Sequence, residues 1–273
     1  MNGLDVSEEL TADLLVRFLR SEAGKFGFER VLCGLSGGVD SAVSVALAAQ
    51  AFGPENVLGV MMPYRTSNPS SEADARVVAE ALGIETRKVD ISSMADGYLG
   101  EADVTDRMRR GNVMARCRMI VLYDLSVEWN GLVLGTSNKT EILLGYSTQW
   151  GDSASALNPL GDLYKHQVFQ LARHLGLPSE VIDKAPSADL FEGQTDEDEL
   201  GFTYEEVDRL LVKMIDERWT EGELVAEGFS ETFVRLVAGR IAANQYKRLP
   251  PIIAKLGPRS VTHDFRYLRS WGR

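Results

Sequence analysis

The sequence predicts an α/β fold: a single doubly wound domain around a central parallel sheet, followed by C-terminal helices. Between residues 31 and 135, short apolar runs alternate with helical segments, an order typical of parallel sheets with right-handed crossovers. Beyond residue 150 the strand pattern fades and helical periodicity dominates. One large domain spanning residues 1–273 can absorb the whole length.

The predicted elements give this alternation in chain order. They are helix 7–24, strand 31–35, helix 41–52, strand 57–62, helix 72–82, strand 85–91, helix 107–129, strand 132–135, and helices near 165–175, 204–219 and 230–245, the last two within a helical C-terminal part at about 204–250. Ligands of such sheets bind beyond the carboxyl ends of the strands. We therefore expect a binding site at the loops 36–41 and 136–141.

The composition restricts the kinds of partner that we expect the protein to bind. The chain has 40 acidic and 29 basic side chains and a formal net charge of −11, which disfavours non-specific attraction to nucleic acid. The first 24 residues contain acids throughout and no apolar run of membrane-spanning length. We expect a cytoplasmic protein that binds neither nucleic acid nor membrane.

The residues that hold soft metals are sparse. Cys33 and Cys117 have no CxxC spacing, and the three histidines do not have ligand spacing. We expect both cysteines to be small buried or half-buried residues. Any metal that the protein uses should therefore be bound by oxygen.

The segment Ser36-Gly37-Gly38-Val39-Asp40-Ser41 joins a buried strand to an alanine-rich helix. Backbone N–H groups converge at such a helix N-terminus and can hold an anion, and glycine lets the backbone approach closely. A carboxylate beside phosphates is useful when a cation such as Mg²⁺ lies between them. A tight turn without a ligand is the alternative explanation for Gly-Gly at this place.

The pattern SGGxDS lacks the lysine of the common GxxxxGK[ST] loop and resembles the pyrophosphate-binding loop of the N-type ATP pyrophosphatases. Further segments resemble ammonia-dependent NAD synthetases in the family's order over most of 30–250. They are GNVMARCRM at 111–119, GTSNKTE at 135–141, GYST at 145–148, WGD at 150–152, NPLGDLYK at 158–165, PSADL at 186–190, DEDELG at 196–201 and YKR at 246–248.

The resemblance implies an adenine nucleotide alpha hydrolase-like fold and a ligase that forms a C–N bond. It implies that deamido-NAD and ATP give an acyl-adenylate and pyrophosphate, and that ammonia then gives NAD and AMP. Mg²⁺ is the implied cofactor, ATP is a co-substrate and a homodimer is the implied assembly.

The resemblance also assigns roles residue by residue. The implied ATP-binding residues are Gly34, Leu35, Ser36, Gly37, Gly38, Val39, Asp40, Ser41, Thr136, Lys165 and Ser187. Those for deamido-NAD are Arg116, Gln149, Ala156, Tyr246 and Lys247. The metal ligands are Asp40 and Glu141, and the catalytic residues are Asp152 and Lys165. Asp152 can alternatively cap a turn, because Gly-Asp-Ser is a good turn sequence.

Some features leave alternatives open. Members of the family often carry lysine at the position of Gln149, aspartate at Ala156 and histidine at Tyr246, so ATP cleavage is better supported than the identity of the acid. No segment resembles a glutaminase domain, which favours free ammonia and leaves open a separate glutaminase partner. The acidic run 194–199 is either a mobile lid segment or a solvated loop.

Two other functions compete with this one. The first is another N-type ATP pyrophosphatase that acts on a different acid or on tRNA. The second is a non-catalytic adenine-nucleotide sensor built on the same loop. Asp40, Glu141 and Lys165 together argue against a sensor, because a sensor needs no full metal site.

Overall fold

A computed structural model describes residues 3–186 and 196–261. Its centre is a parallel sheet with the strand order β3-β2-β1-β4. The strands are β1 (Val31–Gly34), β2 (Val57–Met61), β3 (Glu85–Lys88) and β4 (Leu132–Leu134). The chain moves outward from β1 to β3 and then returns to the other side of β1, so the order of the strands reverses between β1 and β4. That reversal is where open α/β sheets bind their ligands.

Helices fill the connections and the C-terminal part. They are α1 (Glu8–Gly24), α2 (Val39–Phe52), α3 (Pro69–Leu82), α4 (Ser92–Glu101), α5 (Arg107–Trp129), α6 (Lys139–Leu144), α7 (Lys165–His174), α8 (Ser179–Ile182), α9 (Asp196–Leu200), α10 (Tyr204–Leu211), α11 (Glu221–Ala226) and α12 (Glu231–Ala243). A π-helical turn (Val212–Asp216) extends α10, and 3₁₀ turns lie at Pro54–Asn56 and Gln245–Arg248.

Both faces of the sheet are covered, as a doubly wound fold requires. Val31 and Cys33 of β1 belong to the core formed with α1, α2, α3 and α7. Leu32, which points the other way in the pleat, belongs to the core formed with α4 and α5. Cys33 and Cys117 are both buried, which confirms that expectation.

A third core joins the C-terminal helices to the sheet-bearing part. It contains side chains of α9 to α12 together with Leu144 of α6 and Tyr164, the residue before α7. The loops that leave β4 are therefore packed against the C-terminal helices. This packing fixes the direction in which α6 and α7 point toward the ends of the strands.

Several boundaries differ from the sequence-based predictions for local reasons. Helix α3 begins at Pro69 instead of residue 72, because the Asn68 side chain accepts the Ser70 N–H at 3.0 Å and caps the helix. Strand β3 ends at Lys88 instead of residue 91. The sequence does not predict helices α4, α6, α8, α9 and α11, and the helix predicted over 204–219 gives way to the π-helical turn after Leu211.

None of the helices in the described ranges is both long enough and apolar enough to cross a membrane.

Candidate functional site

A cleft of about 1620 Å³ opens beyond the carboxyl ends of the strands. It is larger than the roughly 300–1,000 Å³ of a typical pocket for one small ligand. Its walls come from the loops after β1, β2 and β4, from α5 and from the 3₁₀ turn after α12. Every predicted ATP-site residue that the structure describes lines the cleft except Gly37, and Ser187 lies outside the described residues.

The loop after β1 is a tight turn in which the N–H groups of Ser36 and Gly38 donate to the hydroxyls of Ser41 and Ser36, each at 3.3 Å. Gly37 has a φ of +78°, and a Cβ at this position would lie 2.3 Å from the backbone oxygen of Ser71. The hydroxyl of Ser41 donates to the backbone oxygen of Gly38 at 2.9 Å and lies 3.1 Å from the hydroxyl of Ser36. Glycine is thus required by both conformation and space, and the loop leads directly into the N-terminus of α2, where an anion is favoured.

One buried ammonium group lies between two carboxylates at the edge of this loop. Lys165 is 2% exposed, and its Nζ donates to Asp40 and lies 3.7 Å from Glu141 Oε1. Burial alone lowers the pKa of Lys165, but the negative charges of Asp40 and Glu141 outweigh it and hold the pKa above its ordinary value. Burial, followed by repulsion from Asp40, raises the pKa of Glu141 to about 8.

Asn138 connects the loops after β1 and β4. It is fully buried, and its Nδ2 donates to Asp40 Oδ1 at 2.9 Å. Its Oδ1 accepts the Glu141 N–H at 3.0 Å, while Glu141 Oε2 accepts the Asn138 N–H at 3.2 Å. This capping box starts α6 and aims the Glu141 carboxylate at the cleft. The Asn-x-x-Glu spacing is visible in the sequence, but the bond to Asp40 is not.

A third carboxylate reaches the same place from the acidic run. Asp196 is 4% exposed and accepts hydrogen bonds from the hydroxyls of Tyr146 and Tyr204, each at 3.1 Å. Burial raises the pKa of Asp196, and the positive charge of Lys165 opposes that change. Asp196 begins helix α9, so the solvated-loop alternative is wrong at this residue, and the lid alternative stays a prediction. Residues 194 and 195 lie outside the described residues.

The predicted metal ligands suit a hard divalent cation. Asp40 and Glu141 supply carboxylate oxygens, and the Lys165 ammonium group between them shows that positive charge is favoured there. In the described part of the chain, no three His, Cys, Asp or Glu residues are grouped closely enough to form a complete metal cage. Mg²⁺ commonly uses one or two carboxylates together with substrate phosphates and water, so the residues fit it.

Asp152 also lines the cleft. Its Oδ1 accepts the Thr148 N–H at 2.7 Å, so the carboxylate caps the turn before it as well as lining the cleft. Desolvation raises the pKa of Asp152, while the bond from Thr148 and the charge of Lys247 lower it. The structure therefore confirms the turn-capping alternative, and the catalytic assignment of Asp152 stays a prediction.

Of the residues predicted to bind deamido-NAD, some line the cleft and one does not. Arg116, Gln149, Tyr246 and Lys247 line the cleft. Arg116 donates to the backbone oxygen of Gln149 at 3.2 Å, and Lys247 Nζ donates to the backbone oxygens of Gly145 and Ser147, both at 2.7 Å. Ala156 is not among the residues lining the cleft in the described part; its N–H donates to the backbone oxygen of Val133 in β4 at 2.9 Å.

Lys184 is a cleft residue that the sequence reasoning missed. Its Nζ donates to Asp74 at 2.7 Å and to the Ser71 hydroxyl at 3.2 Å, next to Gly37. Nothing in the local sequence around Lys184 signals this position, because both partners lie more than a hundred residues earlier.

A parallel sheet with a Gly-Gly loop at the point where its strand order reverses, and with carboxylates beside that loop, defines an α/β protein of the adenine nucleotide alpha hydrolase-like fold. The profile of the family described as NAD synthase matches residues 11–251. The chain belongs to this family.

Similar proteins agree in sequence and in structure. The chain is 54% identical to an NH(3)-dependent NAD(+) synthetase of Trichlorobacter lovleyi over 273 residues, with 100% of both chains covered. It is also 54% identical to one of Chlorobium phaeovibrioides, with 99% of this chain and 98% of the relative covered.

Among solved structures, an NMN synthetase from Francisella tularensis has a TM-score of 0.81 at 32% identity, with 92% of this chain and 99% of that chain covered. An NH3-dependent NAD synthetase from Campylobacter jejuni has a TM-score of 0.79 at 31% identity, with 92% and 100% covered. A glutamine-dependent NAD+ synthetase from Acinetobacter baumannii, at 29% identity and a TM-score of 0.69, matches 96% of this chain over 49% of its own length.

Proposed function

We propose that this chain is a cytoplasmic ligase that amidates deamido-NAD with ammonia, using ATP and releasing AMP and pyrophosphate. The observation that carries the proposal is the buried Lys165, held by Asp40 and 3.7 Å from Glu141, directly beside the Gly-Gly loop. Cleavage of ATP between its α and β phosphates requires a loop that holds phosphates, a positive charge such as that of Lys165, and oxygen ligands such as Asp40 and Glu141 for a metal ion. The 54% identity to ammonia-dependent synthetases over the full chain supports the same activity.

In the first step, the acid's carboxylate attacks the α-phosphate and pyrophosphate leaves. The backbone N–H groups of the loop and the N-terminus of α2 hold the leaving group. Lys165 supplies positive charge as negative charge develops on the pyrophosphate. Ser36 and Ser41 add hydroxyl donors, and Thr136 lies at the end of β4 on the same side of the cleft. By resemblance we also assign Ser187 to this site.

Asp40 and Glu141 would hold Mg²⁺, which neutralises phosphate charge when it is bound. Since Lys165 already contacts both carboxylates, its ammonium group must share them with the metal. Asn138 keeps both carboxylates in place through its bonds to Asp40 and to the backbone of Glu141.

In the second step, ammonia attacks the acyl-adenylate and AMP leaves. Ammonia is mostly ammonium at neutral pH, so a base must take one proton before the attack. We assign this role to Asp152, whose carboxylate lines the cleft. Desolvation raises its pKa, which makes it a better proton acceptor than an ordinary aspartate.

The dinucleotide acid would bind between Arg116, Gln149, Tyr246 and Lys247. The forked guanidinium of Arg116 suits a phosphate or a carboxylate. Nine lysines and arginines and eight acids line the cleft, whereas the whole chain has 29 basic and 40 acidic residues. The cleft is thus less acidic than the rest of the chain, which favours entry of anionic substrates. Ala156 is left out of this site.

We further propose a homodimer. Along α5, Ile120, Tyr123 and Val127 are 52%, 40% and 82% exposed, and their spacing places them on one face of the helix together with Arg116. An apolar stripe of this kind marks a protein interface. A second copy packed on this face would bring the subunit boundary close to the proposed dinucleotide site.

A second candidate acid comes from the comparisons and from the sequence departures. The neighbour with a TM-score of 0.81 is an NMN synthetase, and two of the three positions at which this chain departs from the family, Gln149 and Tyr246, line the cleft at the proposed acid site. A mononucleotide acid in place of the dinucleotide acid is therefore the alternative to test.

One assay separates these functions. Purified protein is mixed with ATP, Mg²⁺ and ammonium, and with either deamido-NAD or nicotinate mononucleotide, and pyrophosphate, AMP and the amide are followed. We expect kcat/KM to be at least about tenfold higher with the dinucleotide acid, a difference of about 1.4 kcal/mol. A higher value with the mononucleotide acid would establish the alternative.

The remaining rivals give other outcomes in the same assay. ATP binding without pyrophosphate release with either acid would indicate a sensor. Pyrophosphate release that depends on tRNA would indicate an RNA-modifying enzyme. A parallel reaction with glutamine in place of ammonium should give no amide, and amide formation there would contradict the dependence on free ammonia.

A further inference from the structure

Asp208 of helix α10 is a buried carboxylate that the proposed mechanism does not use. It is fully buried and belongs to the helical layer, and within the described ranges it is not among the residues that line the cleft. Its Oδ1 accepts the hydroxyl of Thr140 at 2.5 Å, and its Oδ2 accepts the backbone N–H of His166 at 2.8 Å. Both oxygens are thus engaged by other elements of the fold.

These two bonds end at the beginnings of two different helices. Thr140 lies in the first turn of α6 and precedes Glu141, while His166 lies in the first turn of α7 and follows Lys165. The same Thr140 Oγ1 accepts the backbone N–H of Lys165 at 3.0 Å. One carboxylate therefore ties together the starts of the helices that carry Glu141 and Lys165.

The charge at Asp208 has a cost that packing alone does not explain. Its neighbours on α10, Val207, Leu210 and Leu211, are fully buried in an apolar core. Burying a carboxylate there is unfavourable, and an apolar side chain of similar size would often fill such a place at no loss of stability. What an apolar side chain cannot do is accept the N–H of His166 and the hydroxyl of Thr140.

We infer that Asp208 is a positioning residue, which fixes the separation of Lys165 and Glu141 by holding the first turns of α7 and α6 in register. This inference rests on the proposed function, because it assigns to those two side chains a reaction to support. Asp208 touches no substrate. Its effect is transmitted through the first turns of α6 and α7. Misplacement of a charged group by about 1 Å can lower the rate about a hundredfold.

The test compares variants inside and outside this network. Asp208→Asn preserves shape but replaces one acceptor oxygen with a donor, so we expect kcat to fall about 10- to 100-fold with a change in KM for ATP below about threefold. Thr140→Val removes the hydroxyl and should lower kcat similarly. Thr140→Ser keeps the hydroxyl and should retain kcat within about threefold. The double variant Asp208→Asn/Thr140→Val should be no slower than the worse single variant, because both break one network.

Val207→Ala is the matched control. It perturbs the same helix and the same core without touching Thr140 or His166, so it should lower the melting temperature and leave kcat per folded molecule unchanged. If Val207→Ala lost as much activity as Asp208→Asn, or if Asp208→Asn kept its kcat, the positioning role would be refuted.

A second measurement does not depend on the reaction. Hydrogen exchange at the backbone N–H groups of Lys165 and His166 should accelerate at least about tenfold in Asp208→Asn and in Thr140→Val, and should not do so in Val207→Ala. If the wild-type chain formed no amide but showed this exchange pattern, the proposed function would fail while the tie between the two helices stood. Unchanged exchange in both network variants would refute the tie itself.

Discussion

Replacing Lys165 with methionine tests the charge balance of the site most directly. The side chain is 2% exposed, and the side chains of Asp40 and Glu141 are 17% and 16% exposed. Methionine fills a similar volume but leaves these carboxylates, together with the buried Asp196, without their shared cation. Removing one partner from a buried ion pair typically costs about 3–5 kcal/mol.

This cost converts into a measurable shift. About 2–4 °C per kcal/mol applies to chains somewhat shorter than this one, so the melting temperature should fall by about 6–20 °C in the absence of divalent cations. Calorimetry of the wild-type chain and of Lys165→Met in a chelating buffer measures it. Lowering the pH should narrow the difference, because protonation of the carboxylates relieves their repulsion. Added Mg²⁺ should also recover part of the loss.

Lys25→Met is the matched control. Lys25 pairs with Glu22 at 2.5 Å, three residues earlier in the sequence, and its side chain is 37% exposed. A surface pair of this kind is worth about 0–1 kcal/mol, so its loss should barely move the melting temperature. An equally small shift in Lys165→Met would refute the reasoning, since it would mean that the carboxylates do not depend on the ammonium group.

Four further predictions concern single positions. Gly37→Ala should weaken ATP binding at least about tenfold by titration calorimetry, since its φ of +78° and the 2.3 Å approach to Ser71 leave no place for a Cβ; unchanged affinity would remove the loop from the ATP site. Arg116→Lys should raise the KM for deamido-NAD about tenfold and leave the KM for ATP unchanged, because an ammonium point charge replaces the forked guanidinium. Steady-state kinetics with each substrate varied in turn measure both values, and a rise in the KM for ATP instead would contradict the assignment. Asp152→Asn should slow amide formation about 100-fold while pyrophosphate release persists, and equal loss in separate assays of the two products would move Asp152 to the first step. For Asp208, burial raises the pKa from 3.8 to about 6, so its contribution to stability is present below about pH 4 and is lost as the pH rises through 6, by about 3 kcal/mol at 1.36 kcal/mol per unit; urea unfolding between pH 4 and 8 should show this slope flattened in Asp208→Asn.

The parts of the site that were predictable are local in sequence. Ser36 and Ser41 lie five residues apart and meet in one turn, so the segment between a buried strand and an alanine-rich helix reveals the loop on its own. The sheet was predictable for the same reason, because each apolar run and each helix that follows it is contiguous. The start of α3 was also readable, since Asn68-Pro69 is a capping pattern that a closer look at local chemistry would find.

The remainder depends on contacts between distant segments. Asn138 meets Asp40 across 98 residues, and Thr140 meets Asp208 across 68. The hydrophobic periodicity of a sequence gives no signal for contacts between residues so far apart. Asp196 shows the limit of charge patterns, because four consecutive acids predict a solvated segment. The charge of Lys165 and the hydroxyls of Tyr146 and Tyr204, all distant in sequence, stabilise its buried carboxylate. Lys165 was assigned through family resemblance, since an isolated lysine has no signature of its own.

The sharing of a single ammonium group by Asp40, Glu141 and Asp196 has a consequence for the form in which the nucleotide enters. A bare triphosphate adds negative charge beside this group of three acids, which should therefore repel its phosphates even though the cleft as a whole favours anions. A triphosphate that arrives already complexed with a divalent ion brings its own compensation. We expect this group of charges to favour binding of the metal-complexed nucleotide over the free nucleotide through electrostatics alone, independently of how well either one fits the cleft.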